Sequence, residues 1–370
     1  MTDAAFLRLI LADPDAVGPR LLYADWLEGH GGAARAEFIR VQCALARLPA
    51  DDPRTAALRD RGDVLLEQHR VAWSDPLAGL ATRWDFRRGF PAFVRLEAGV
   101  FLARAAELFA AVPVRHVELH DAHGHLPRLG ACPYLGRLAE LTIAASHLGD
   151  ALPRTLAGSS HLGRLTGLYL SRNAIGDDGV HALAAAPHLA GLTALDLGEN
   201  DVGPGGAHTL AAASPLAGVT TLRLRHNALG PEGTAAVLTS TRLVSLTVLD
   251  LAYTRCGFAA LEALTDAPLW DRLHTLNLAG NNLGDVGARL LARWPRLANL
   301  RDLDLSRNEI GDEGAVALAE SPHLTNLRRL SLTGNRITES GKRTLAGSPL
   351  YRHTALDLRD NWSALTLFRR

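Results

Sequence analysis

From residue 165 to residue 173 the chain is apolar at Leu165, Leu168 and Leu170, mostly polar or small between them, and closes on Asn173. The same LxxLxLxxN spacing returns from Leu192 to Asn200, Val219 to Asn227, Leu273 to Asn281, Leu300 to Asn308 and Leu327 to Asn335. First positions stand at 138, 165, 192, 219, 246, 273, 300 and 327, each 27 residues after the last. A fixed period of this size predicts a solenoid of stacked units. The fourth and sixth positions alternate, so they share one face of a short strand, and the first adds a third apolar contact. Intervening residues such as Tyr169 and Asp196 point to the other face.

The ninth position lies where the strand turns out of the sheet. A buried asparagine there carries donors and an acceptor for backbone groups that the turn leaves unpaired. Stacked copies predict a structural ladder of Asn173, Asn200, Asn227, Asn281, Asn308, Asn335 and Asn361, interrupted by Ala122, Ser146 and Thr254. The second half of each unit has helical spacing: Val180, Leu183 and Ala184 form a core-facing stripe. Asp177 or Asp178 is placed to cap that helix, and Asp285, Glu232 and Asp312 repeat the acidic start. Pro187 and its counterparts Pro215, Pro268, Pro295, Pro322 and Pro349 are expected to stop it.

A 27-residue unit with strand and full helix resembles the ribonuclease-inhibitor-like class of leucine-rich repeats over about residues 138–361. The resemblance implies an α/β solenoid with a parallel sheet on the concave side and helices on the convex side.

Residues 1–75 break the period. Apolar groups at Phe6–Leu11, Leu21–Leu27, Phe38–Leu48 and Leu58–Trp73 predict four helices, separated by Asp13-Pro14, Gly29-His30-Gly31-Gly32 and Pro49. The motifs Ile10-Leu11-Ala12-Asp13-Pro14-Asp15, Pro19-Arg20-Leu21-Leu22-Tyr23-Ala24-Asp25-Trp26-Leu27-Glu28 and Arg35-Ala36-Glu37-Phe38-Ile39-Arg40-Val41-Gln42 resemble the bacterial repeat-companion domain. That family precedes repeat arrays and brings no activity with it. Tyr23, Asp25, Trp26, Arg35, Glu37 and Arg40 form either a functional cluster or a set of helix staples, with Trp26 as the expected apolar anchor.

Between the two parts, Trp84–Pro91 leads into a first strand at Phe93–Leu96. A helix over Phe101–Phe109 and a strand at Val114–Leu119 follow. The expected organisation is a small all-α domain at 1–83, capping and degenerate repeats at 84–137, and the solenoid with its C-terminal cap at 138–370. Such ends shield the open core of a solenoid. Trp362, Leu365, Leu367 and Phe368 are expected to cover the last unit.

Charge is balanced, with 39 basic and 39 acidic residues, which argues against non-specific nucleic-acid binding. No run of about 18 apolar residues suggests a membrane span. The N-terminal stretch has neither a basic n-region nor an apolar h-region, so no signal peptide is expected. Cys43, Cys132 and Cys256 are scattered, which suits free buried thiols in a cytoplasmic protein.

Candidate chemistry concentrates on the strand face. Its fifth position runs Tyr169, Asp196, Arg223, Asp250, Asn277, Asp304, Ser331 and Asp357. Neighbouring strands lie about 4.8 Å apart, so Asp196, Arg223 and Asp250 either neutralise one another or present a charged patch. Interface hot spots favour Tyr, Trp and Arg. The candidate binding residues are therefore Tyr169, Arg172, Asp196, Arg223, Arg225, His226, Asp250, Tyr253, Asp304 and Arg307. His116, Glu118 and His120 alternate along one strand, with His123, His125 and Glu140 nearby. They are weak metal candidates or a solvated edge. No nucleophile triad, phosphate loop or dinucleotide motif is present.

The reading is a non-catalytic scaffold, without cofactor, that binds an unidentified protein through the concave face. Nucleic acid and membrane are not expected partners, and a monomer is expected. Two alternatives are a metal site on the first strands and a regulator of GTP hydrolysis. The latter rests on likeness to the GTPase activator for the nuclear-transport GTPase Ran. That family ends in an acidic tail, whereas this sequence ends Phe368-Arg369-Arg370.

Overall fold

The structure is a computed structural model describing residues 1–49, 52–262 and 268–361. The chain falls into two compact units, Met1–Ile143 and Ala144–Arg370.

Unit 1 begins with four helices: α1 (Asp3–Ala12), α2 (Gly18–Glu28), α3 (Ala33–Leu45) and α4 (Arg54–Ser74). Each overlaps one of the expected apolar groups but starts before it; α1 and α2 stop at the expected breaks, whereas α3 ends at Leu45, short of Pro49. Their core is built on Ile10, Tyr23, Ala24, Ile39 and Cys43, with a second cluster at Phe38, Leu65 and Phe86. Trp26 is only partly buried and packs at the edge, so the expected anchor role falls to Phe38 and Ile39. Next come β1 (Arg83–Arg87), β2 (Phe90–Glu97), α5 (Ala98–Ala111), β3 (His116–His120), the short α6 (Leu126–Gly130) and β4 (Glu140–Ile143).

Strand β1 corrects the sequence reading, which took Trp84–Arg87 as a lead-in. It pairs antiparallel with β2, whereas β2, β3 and β4 run parallel. The hairpin turns at Arg88 (φ 51°) and Gly89 (φ 85°). Gly89 is also required sterically, because a Cβ there would lie 2.5 Å from Ile39 Cγ1.

Unit 2 repeats strand and helix. The elements are α7 (Ala151–Ala157), β5 (Gly167–Tyr169), α8 (Asp177–Ala184), β6 (Ala194–Asp196), α9 (Pro204–Ala212), β7 (Thr221–Arg223) and α10 (Gly230–Leu238). They continue with β8 (Val248–Asp250), α11 (Ala259–Glu262), β9 (Thr275–Asn277), α12 (Gly284–Arg293), β10 (Asp302–Asp304), α13 (Asp312–Ala319), β11 (Arg329–Ser331), α14 (Glu339–Gly347) and β12 (Ala355–Asp357). All strand pairs from β5 to β12 are parallel and in matching register. Leu168, Leu195, Leu222, Leu249, Leu276, Leu303 and Leu330 pair in sequence and are buried, forming the core face of an α/β solenoid. The expected cap at Trp362, Leu365, Leu367 and Phe368 lies outside the described residues.

The asparagines sit between units. Asn200 Oδ1 accepts from the backbone of Asn173 and Ile175 in the preceding unit, at 2.9 and 3.1 Å. Its Nδ2 donates to Leu170 O at 3.0 Å and to Leu197 O at 2.9 Å. One side chain thus ties two successive turns together, and Asn281, Asn308 and Asn335 repeat the arrangement. Thr254 supplies part of it, with Oγ1 donating to Leu251 O at 2.8 Å.

The acidic helix starts work differently from expectation. Asp177 does not cap its own helix. Its Oδ1 accepts from Gly203 N, the N-cap residue of the next unit's helix, at 2.7 Å. Asp150 reaches Gly176 N at 2.8 Å, Asp285 reaches Gly311 N at 2.7 Å, and Asp312 reaches Thr338 N at 2.8 Å in the same way. The reason is a glycine inside each receiving helix. A Cβ at Gly179, Gly206 or Gly314 would stand 2.5–2.6 Å from the incoming carboxylate. Capping is therefore an inter-unit bond that the glycine makes room for. Pro187, Pro268 and Pro295 each begin a short 3-10 turn after the helix.

Candidate functional site

The strand register aligns Tyr169, Asp196, Arg223, Asp250, Asn277, Asp304, Ser331 and Asp357 in one row across unit 2. Asp196, Arg223 and Asp250 are direct neighbours, as expected, yet no ion pair joins them among the described residues. The carboxylates are turned onto their own backbone. Asp196 Oδ1 accepts from Gly198 N at 2.8 Å, Asp250 Oδ1 from Ala252 N at 3.1 Å, and Asp304 Oδ1 from Ser306 N at 2.9 Å. Each thereby stabilises the turn that follows its strand. Burial pushes the Asp250 carboxyl above the usual carboxylate range, against the Ala252 amide, Arg225 and Arg223, while Asp196 adds to the rise. Turn-forming carboxylates thus flank a half-buried Arg223.

A second row runs beside it at the eighth position of the units. Arg172, Glu199, His226, Tyr253 and Arg307 all have left-handed backbone, with φ between 54° and 60° except His226 at 53°. This conformation swings their side chains out of the turn. Arg172 and Arg225 both reach Glu199, which Arg172 holds below the usual carboxylate range. His226 stacks on Tyr253 with centroids 4.4 Å apart and planes 7° from parallel. The Tyr253 ring lies over Gly280, whose φ of 66° and missing Cβ admit it. Arg307 leans over Gly334 (φ 68°), where a Cβ would be 3.2 Å from Arg307 Cγ.

The ten candidate binding residues therefore divide. Tyr169, Asp196, Arg223, Asp250 and Asp304 share the strand row; Arg172, His226, Tyr253 and Arg307 share the turn row. Arg225 connects them through Glu199. Sequence reasoning missed the notch of about 490 Å³ between Tyr253 and Arg307, floored by Gly280 and Gly334 and edged by Arg336 and Glu309. Its signal was glycine at the eighth position of two units, where other units carry large side chains. Chemically, the two rows offer cationic forks, an aromatic pair and turn-bound carboxylates.

The other candidates are dispersed. His116, Glu118 and His120 do share one face of β3. Each is drawn to a different partner: His116 Nε2 lies 2.8 Å from Thr142 Oγ1, Glu118 3.3 Å from Arg95, and His120 Nδ1 3.0 Å from Asp121. Among the described residues no three His, Cys, Asp or Glu side chains are grouped to hold a metal ion. In the helical part, Arg40 bridges Asp25 and Glu28 at 2.7 Å each. Glu37 pairs with Arg61 at 2.6 Å, and Tyr23 donates to Asp3 at 2.5 Å. Arg35 is enclosed by the rings of Trp73, Phe90, Phe86 and Phe38, 4.7–5.9 Å from their centroids. These contacts hold the helices to one another, and Tyr23 stacks on Trp26 with centroids 6.0 Å apart. Cys43, Cys132 and Cys256 are buried and unbridged, and burial pushes the Cys256 thiol up to about 12.

The family model for the Leucine Rich repeat matches residues 165–184, 191–211, 219–238, 273–292, 296–319 and 323–346. Leucine-rich repeats are thus present in this chain. No curated protein matches the chain. Among solved structures, it is similar to one from the complex of Rad7 and Elc1 in yeast. Identity is 13%, covering 96% of this chain and 98% of that one, with a TM-score of 0.49. It is also similar to one from the TLR13–ssRNA13 complex, at 19% identity over 67% of this chain and 40% of that one, with a TM-score of 0.39. Among the described residues no helix is long and apolar enough to cross a membrane.

Proposed function

We propose that the chain is a non-catalytic scaffold binding a protein partner through the strand face of its solenoid, the concave side. Stacked repeats present extended surfaces suited to such binding. One observation carries the choice of site: Arg223 stands in register between two carboxylates that are committed to their own turns. Its planar fork is left for a partner carboxylate. The pair formed by His226 of the same unit and Tyr253 of the next adds an aromatic contact. Residues 1–83 are read with this as a repeat-companion domain of a bacterial protein, 84–137 as capping repeats, and 138–370 as the binding solenoid. Buried unbridged thiols accord with a cytoplasmic location.

The test begins with crosslinking in native extract to identify a partner, followed by titration of the purified pair. Replacing Arg223 and Arg225 together by Ala should weaken binding by about 2 kcal/mol or more, as losses at hot spots do. Arg343→Ala, on helix α14, should leave it unchanged. A double variant that binds at wild-type affinity overturns the assignment of the site.

A further inference from the structure

Unit 1 holds a cavity of about 600 Å³ that the scaffold reading does not use. Five arginines line it: Arg20, Arg59, Arg87, Arg88 and Arg115. Two carboxylates, Asp15 and Glu140, line the cavity with them and pair with three of the five. Asp15 is shared by Arg88 at 3.4 Å and Arg115 at 3.3 Å, and Glu140 faces Arg87 at 3.4 Å. Arg20 is the anomaly. Its side chain is 98% buried, since its relative exposure is 2%. One nitrogen, Nη2, donates to Pro14 O at 2.8 Å, and the guanidinium packs against the Phe90 ring at 5.2 Å. Among the described residues no protein atom accepts from Nε or Nη1, nor from Arg115 Nε.

A buried cation with two unmet donors is costly unless something accepts from them. Desolvation holds Arg20 down to about 10, still charged at neutral pH, so an acceptor there is best an anion. The rest of the lining sets the class. Leu45, Phe86 and Pro113 give the cavity apolar walls, and its size suits a small organic ligand better than a bare ion. The surplus of arginine over carboxylate favours a dianion over a monoanion.

We propose that this cavity binds a small organic phosphate, whose phosphoryl oxygens accept from Arg20 and whose body lies on the apolar walls. Arg115 and Arg88 hold its rim, and Arg59, exposed on α4, attracts the anion from solvent. Nothing in this inference depends on the strand face of unit 2.

The probe is phenyl phosphate, titrated calorimetrically into the full chain beside inorganic phosphate and benzoate. Phenyl phosphate should bind one-to-one with a Kd of about 1 mM or lower, and about tenfold more tightly than either control. It should also raise Tm. Arg59→Glu, at an exposed position, should keep the wild-type circular dichroism spectrum and weaken phenyl phosphate by about tenfold. Arg20→Met should abolish binding while folding normally. If that variant does not fold, Arg59→Glu and Arg88→Ala carry the decision. No saturable heat at about 10 mM phenyl phosphate overturns the proposal. So does equal affinity in wild type and Arg59→Glu, or benzoate binding as tightly as phenyl phosphate.

Discussion

In unit 2 the same bond recurs every 27 residues, whereas among helices α1–α4 of unit 1 no contact has a counterpart. An asparagine of the array serves its own turn and the preceding one, so each polar group is satisfied by a copy of itself one unit away. The helical part buries polarity one residue at a time: Arg35 in a box of four rings, Arg20 under Phe90, Tyr23 on Asp3. Repetition makes a bond obligatory, because its neighbours are built to need it. Singular contacts are replaceable if their volume and charge are respected.

The sharpest way to break this contrast is Asn308→Ala. The change strands the amides of Asn281 and Leu283, and the carbonyl of Leu278 loses one of its two side-chain donors, all around a side chain with no exposure. Urea unfolding should show a loss of about 3 kcal/mol, since buried groups left unpaired cost about 1–3 kcal/mol each. A loss under about 1 kcal/mol would mean that the ladder is ornamental.

Next in size is Gly314→Ala. The new methyl would meet Asp285 Oδ1 and Ile310 Cγ2, so either the inter-unit cap opens or the helix shifts. We expect a loss of about 2 kcal/mol, the usual cost of overpacking, despite the better helix propensity of alanine. Restoring room with Asp285→Ala in the same chain should not recover stability, because the cap to Gly311 is then gone. Full recovery would show that crowding alone is at work.

How much was legible follows from the same contrast. The strands, their register and the asparagine ladder were readable because a period is a property of spacing. Thr254 was readable as a weak rung for the same reason. The direction of the Asp177 cap was not, since spacing gives the same residue to its own helix and to the next; only the close approach at Gly206 decides. At the candidate site, spacing placed Asp196, Arg223 and Asp250 side by side. It could not foresee that each carboxylate turns back onto an amide two residues on. The turn row was hidden because left-handed backbone at Arg172 or Tyr253 leaves no mark in composition. The antiparallel strand at Arg83–Arg87 was missed because a single hairpin has no repeat to compare with.

Arg35→Met tests the singular side. Burial holds Arg35 down to about 10, and no carboxylate pairs with it among the described residues. Methionine keeps the bulk between Trp73 and Phe38 and removes a desolvated charge. Unfolding free energy should stay within about 1 kcal/mol of wild type or exceed it, as replacement of buried charge by apolar volume often does. A fall of about 3 kcal/mol would show that the ring contacts with the cation are indispensable.

The smallest effect concerns pH. His116 on β3 lies 2.8 Å from Thr142 Oγ1, 3.4 Å from the Glu140 carboxylate and edge-on to Phe93 at 4.8 Å. Burial holds its imidazole below the ordinary value of 6.5, and this outweighs the pull of Glu140 and Glu118; Arg87 pushes the same way as burial. Between its folded value and 6.5 the unfolded chain therefore binds more protons than the folded one. Stability must then rise with pH across that window and be lost as pH falls below about 6.5. His116→Gln keeps a polar group for Thr142 and removes the titration. The difference in unfolding free energy between wild type and variant, followed from pH 7.5 to pH 5 at fixed ionic strength, should move against wild type on acidification, by less than about 1 kcal/mol. If Glu140 dominated instead, protonation would strengthen the pair and wild type would gain on acidification. The sign of the slope alone separates burial from ion pairing at this strand.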